Sequence, residues 1–96
     1  MREEAARRFG RNLFKARRRA GYSQEELAAL CSLHRTEIGL VEKGRRLPRV
    51  DTLVKLASAL DVKADDLVHG IGWALAAPGR PGTLYVAHLG LSHVGE

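Results

Sequence analysis

The chain has 96 residues, 28% charged and 45% hydrophobic, with a net charge of +5. That length suits one domain with a modest core, and the balance excludes a disordered chain. No apolar run approaches the roughly 20 residues of a membrane span. The opening MREEAARRFG lacks an apolar signal core, and the single cysteine, Cys31, permits no internal disulfide. Both point to a reducing cytoplasm. The basic excess favours polyanionic partners without naming one.

Residues from Arg2 to Ala20 read as a helix, with Phe9, Leu13, Ala16 and Ala20 forming one buried stripe. Gly21 can take the left-handed conformation that stops it. Ser23 and Glu26 have the spacing of a capping box, so a second helix starts there, with Leu27, Ala28 and Cys31 inward. After the short break at "CSL", a third helix is predicted from His34 to Lys43. Ile38 and Val41 point inward, Leu33 lies just ahead, and Gly44 closes the end. Pro48 makes "RRLPR" a loop. Leu53, Leu56, Ala57 and Leu60 restart helical spacing, and "ADDLVHGI" is a last short helix with acidic residues in its first turn. From Gly72 onward the composition turns rich in glycine and poor in charge, and only "TLYVAHL" reads as structured, a single strand.

Two short helices joined by a tight turn, within an otherwise helical chain, suggest a helix-turn-helix. "SQEELA", then "LHRTEIGLVEKGRRLP", then "TLVKLASALDV" resembles the phage-repressor-like family (lambda/Cro type, xenobiotic-response-element), in register from Phe9 to Gly70. The resemblance implies an all-α, five-helix lambda-repressor-like DNA-binding domain over residues 1–70. Residues 71–96 are then a C-terminal extension containing one β-strand, a candidate dimerisation arm. The implied function is a transcriptional regulator, a repressor, binding a double-stranded DNA operator as a homodimer. "LHRTEIGLVEKGRR" also resembles controller proteins of restriction–modification systems. Outside that class, the alternative is an antitoxin or interaction module whose extension binds a protein.

Within the resemblance, helix 34–43 enters the major groove. Its first turn offers Arg35, Thr36 and Glu37, with Leu40 a turn later, all off the face buried by Ile38 and Val41. Arg35 suits the O6 and N7 of guanine, a contact of roughly 1–3 kcal/mol. Thr36 can donate a hydrogen bond or touch a thymine methyl, and Leu40 makes apolar contact. Glu37 either accepts from cytosine N4 or orients Arg35. His34 caps the helix or meets phosphate, as Gln24, Lys43, Arg45, Arg46 and Arg49 do. Gln24 also braces the recognition helix. Arg17 aligns with a family arginine that pairs with a glutamate, here Glu42, while Arg18 and Arg19 form a solvated face.

Three departures from the family pattern stand out. Ser32 replaces a turn glycine, Asp61 replaces a helix-ending glycine, and Gly39 interrupts the recognition helix at a cost of roughly 1 kcal/mol. Cys31 reads as a small packed hydrophobe. The four histidines lack metal-ligand spacing, and no nucleophile has a positioned base, so neither metal, cofactor nor enzymatic activity is expected. A lone strand needs a partner edge. The preferred reading pairs it with a second subunit, with Trp73, Leu84, Tyr85, Val86 and Leu89 as dimerisation residues. Folding back onto its own helices is the alternative.

Overall fold

A computed structural model describes residues 2–87. Five helices come first: α1 (Arg2–Ala20), α2 (Gln24–Leu30), α3 (Arg35–Glu42), α4 (Val50–Leu60) and α5 (Ala64–Leu67). Two strands follow, β1 (Ile71–Leu75) and β2 (Gly82–Val86). The core is the meeting of the predicted stripes. Phe9 and Leu13 from α1, Leu27 from α2, Ile38 and Val41 from α3, Leu56 from α4 and Leu67 from α5 are all fully buried in one cluster. Burying each such side chain stabilises the fold by roughly 1.5–3 kcal/mol.

The α1 stripe departs from expectation at its end. Ala16 is half-buried and Ala20 exposed, and the buried position of the last turns is Arg17. The stripe therefore ends in a charge, whose partner is supplied by α3. Helix α2 begins as its residues require. The Ser23 hydroxyl accepts from the Glu26 amide at 3.0 Å, and the Glu26 carboxylate accepts from the Ser23 amide at 2.8 Å.

Helix α5 is one turn, shorter than "ADDLVHGI" suggested. Asn12 on α1 explains where it stops. Its Nδ2 donates to the carbonyls of Leu67, at 2.9 Å, and His69, at 3.0 Å, satisfying the helix end sideways. Gly70 then takes φ +89° and turns the chain into β1.

The single-strand expectation is corrected here. "IGWAL" is a strand too, and it pairs antiparallel with β2 in the register Ile71 to Val86, Trp73 to Leu84 and Leu75 to Gly82. For β2, Gly82–Val86, the partner edge comes from its own chain. Two glycines fit the aromatic residues across the ladder: the Tyr85 ring lies against Gly72 and the Trp73 indole against Gly82. Arg8 ties this hairpin to α1, its Nε donating to His69 O at 3.1 Å and its Nη1 to Ala87 O at 3.3 Å. Trp73 does not pack beneath the strand within its own chain but is 61% exposed. Leu89 lies outside the described residues.

Ser32 and Asp61 adopt left-handed backbone, φ 55° and 56°, where the family pattern has glycine. An L-residue pays roughly 1–2 kcal/mol there. Ser32→Gly is therefore expected to raise stability by about 1 kcal/mol, after the glycine's larger unfolded-state entropy is subtracted. Urea unfolding followed by circular dichroism measures it, and an unchanged midpoint would show that Ser32 carries no strain.

Candidate nucleic-acid interface

The interface is built on the α2–α3 pair. Leu33 N donates to Ala28 O at 2.9 Å across the tight turn, setting α3 against α2. Ile38 and Val41 bury the inner face of α3. Its first turn is then forced outward: His34, Arg35 and Thr36 are exposed, and Glu37 and Leu40 are half-exposed. Neither Arg35 nor Thr36 has a hydrogen-bond or ion-pair partner among the described residues. Their donors are unspent. His34 serves as the N-cap through its backbone alone, without the side-chain cap bond that was one of its expected roles.

The far end of α3 is locked. Arg17 Nε donates to Glu42 Oε2 at 2.6 Å and its Nη2 to Oε1 at 3.0 Å, a two-pronged pair with side chains only 9% and 6% exposed. Arg17 Nη1 donates to Tyr22 O at 2.9 Å, and Gln24 Nε2 donates to Glu42 Oε1 at 3.0 Å. The hydrogen bond to Glu42 raises the Arg17 guanidinium above its ordinary range, against the opposing effect of burial. Three helices, α1, α2 and α3, thus meet on one carboxylate. Gln24 shares in that contact while remaining half-exposed at the start of α2.

Glu37 differs from expectation in its partner. It accepts from Arg46 Nη1 at 2.6 Å rather than orienting Arg35, in a pair 24% and 53% exposed. The ion pair joins the first turn of α3 to the loop behind it. Lys43, Arg45 and Arg49 are exposed on the same segment, with Asp51 Oδ1 standing 3.7 Å from Arg49 Nε. Gly39 is not demanded by the chain's own packing, since a methyl there would meet only Gln24 Oε1 at 3.9 Å.

Sequence reasoning missed Gly10, Arg8 and Asn12. A Cβ on Gly10 would fall on the carbonyl oxygens of Val41 and Glu42, so glycine lets α1 run directly against the end of the recognition helix. The signal was present, because glycine in a helix interior costs about 1 kcal/mol unless close crossing repays it. Arg8 and Asn12, four apart on one helical face, could have been noticed as polar residues bordering a buried stripe. In the hairpin, the register puts Trp73, Leu84 and Val86 on one face and Tyr85 on the other. Leu75, 70% exposed beside Trp73, was also missed.

A short helix fixed from behind, with an unspent basic and polar first turn and cations at its exit, is the form of a helix-turn-helix DNA-binding domain. The comparisons agree. A helix-turn-helix family model (HTH_3) matches residues 13–67, more than half of the chain, and the protein belongs to that family. The control protein C.BamHI of Bacillus amyloliquefaciens is 42% identical over 50 residues, covering 52% of this chain and 62% of that protein. An uncharacterised prophage-derived HTH-type transcriptional regulator of Bacillus subtilis, YonR, is 39% identical over 62 residues, covering 65% and 57%. This chain therefore spans about three-fifths of the length of those two relatives. Among solved structures, the restriction–modification controller protein C.AhdI of Aeromonas hydrophila aligns with a TM-score of 0.63 at 40% identity, over 65% of this chain and 94% of that one.

Removing either Arg17 or Glu42 leaves a buried charge alone, at a cost of roughly 3–5 kcal/mol. Arg17→Met and Glu42→Gln should each lower stability by about 3 kcal/mol. The double variant should be far less destabilised than the sum. A double-mutant cycle in denaturant measures the coupling, and a value near zero would show that the two charges do not depend on each other.

Proposed function

We propose that this protein is a sequence-specific transcriptional regulator, a repressor, that binds an operator as a homodimer with α3 in the major groove. The observation that carries the reading is the state of Arg35 and Thr36. Both project from the exposed first turn of a helix whose opposite face is buried and whose far end is clamped by Arg17 and Gln24. A helix held this way can meet base edges without losing further freedom, which favours selective over loose binding. Arg35 reads a guanine and Thr36 a thymine methyl or a neighbouring acceptor. Leu40 adds apolar contact.

Glu37 has two uses consistent with its pair to Arg46. It accepts from a cytosine N4, or it aims the guanidinium of Arg46 at the backbone. Lys43, Arg45 and Arg49, with Gln24 and His34 at the helix starts, neutralise phosphates and set the register. A restriction–modification controller is the specific form of this role favoured by the relatives, because one of them is a restriction–modification controller protein and another is a control protein.

A two-fold dimer sets its recognition helices about 34 Å apart, one turn of DNA. The hairpin supports a dimerisation role. Trp73, 61% exposed, and Leu75, 70% exposed, share one face with the half-buried Leu84 and Val86, an apolar surface on which a second copy loses contact with water. Tyr85 lies on the opposite face, where its ring braces Gly72. Its part in the dimer would be to keep the hairpin flat enough to pair.

Two measurements test these roles. Arg35→Ala should weaken operator binding by roughly 1–3 kcal/mol and relax preference at one base position per half-site. Lys43→Ala should weaken all sequences alike and flatten the salt dependence by about one counterion. Binding to a randomised duplex pool reads both, and unchanged preference in Arg35→Ala would overturn the base-reading role. For the dimer, the double substitution Trp73→Ser with Leu75→Ser leaves the helical core intact. It should sediment as a monomer at micromolar concentration, while a persistent dimer would place the interface elsewhere.

A further inference from the structure

Helix α1 carries a second basic face that neither the sequence motif nor the proposed contacts use. Arg7, Arg11, Phe14 and Arg18 recur at i, i+4, i+7 and i+11, so they lie along one side of the helix. The crossing at Gly10 brings this side against the exit of α3. There Arg7, Arg11, Phe14, Glu42 and Lys43 line an open cleft of about 300 Å³. The acid in that cleft is already spent. Both Glu42 oxygens are engaged by Arg17 and Gln24, so its charge is balanced by Arg17. Arg7, Arg11 and Lys43 therefore share one cleft, and none of them is in an ion pair within 4 Å among the described residues. Glu4 lines the adjoining cleft together with Arg7, Arg8 and Arg11, and Glu3 feels the Arg7 charge from one turn earlier, so along this edge the cations outnumber the acids. Phe14 forms an apolar wall, with the guanidinium carbons of Arg17 and Arg18 at 5.4 and 5.5 Å from its ring centre.

Three like charges around one opening repel one another, and an anion placed between them removes that cost. On the other side of Gly44 the strip continues, because Arg2, Arg45 and Arg46 line the next cleft along the same edge of the molecule. We propose that this strip is a second DNA surface: Arg7 and Arg11, with Lys43, grip phosphates of the duplex flanking the bases read by α3. The inference rests on the DNA-binding reading above and extends it to a different helix. The choice of DNA follows from charge complementarity and from continuity. Lys43 belongs to both surfaces, so a backbone that meets it at the exit of α3 is carried next to Arg11 and Arg7.

The test uses the full chain, its selected operator in a long and a trimmed duplex, and the variants Arg7→Gln, Arg11→Gln and their double. Each lost phosphate contact lowers the slope of log affinity against log salt by about 0.9. The double variant should therefore lose nearly two units of slope on the long duplex, with base preference unchanged. It should lose much less on the duplex trimmed to the read bases. Lysine at both positions should restore most of the slope, which separates charge from helix packing. An unchanged slope in the double variant, with a reduced slope in Lys43→Gln, would overturn the proposal by showing that the cleft faces away from DNA. Loss of slope on long and trimmed duplexes alike would also overturn it, since the contacts would not then be to flanking sequence. A wild-type protein that selects no duplex would remove the regulator reading itself, a different failure from either of these.

Discussion

Glu42 is the point on which the recognition helix depends. One carboxylate receives both prongs of Arg17 from α1 and the amide of Gln24 from α2, almost out of contact with water. A helix of eight residues has little stability of its own, since its end groups outnumber its internal hydrogen bonds. Apolar contacts through Ile38 and Val41 hold one face of it but do not fix its position along its axis. The charged contact does, because a two-pronged pair tolerates little displacement. The polar first turn is left outward for the same reason: the buried contacts are at the opposite end or the opposite face, and its one ion pair, Glu37 with Arg46, is partly exposed.

Helix α1 is the frame for the rest. Along one side it supplies Phe9 and Leu13 to the core and Arg17 to the lock. Gly10, on that side, lets it lie against the last carbonyls of α3. From a second side, Arg8 and Asn12 reach the end of α5 and the root of the hairpin. Among the described residues, recognition helix and hairpin therefore share no side-chain hydrogen bond or ion pair, yet both are referred to the same rigid rod. Their spacing is what a dimer built through the hairpin would convert into the spacing of two half-sites.

Polar groups around the lock are fully engaged. No buried side-chain nitrogen or oxygen among the described residues lacks a hydrogen-bond partner. That matters because an unsatisfied buried donor costs roughly 1–3 kcal/mol, a sizeable part of the stability of so small a domain. The unspent donors, Arg35 and Thr36, stand in solvent. The two populations are separated along one short helix, with satisfaction at its end and availability at its start.

What could be read from the sequence was whatever depends on neighbours along the chain. Helical spacing marked Leu27, Ile38, Val41, Leu56 and Leu60 as inward, and the Ser23–Glu26 box set the start of α2, because i, i+3 and i+4 positions are close in any helix. The pairing of Arg17 with Glu42 needed the family resemblance, since the two residues are 25 positions apart. The rest waited on tertiary structure. Ala20 satisfied the period of the α1 stripe but had nothing left to cover it once Arg17 took the last buried place. "IGWAL" alternates large and small residues, yet Gly72 and Ala74 hide the pattern, and a strand exists only when a partner offers its edge. Glu37 chose Arg46 over Arg35 because the loop after α3 folds back to the helix start, a path no spacing rule encodes. Local geometry therefore determined the helices and their buried faces. Only the folded chain decided which charges meet, because that depends on distances between segments that the sequence holds apart.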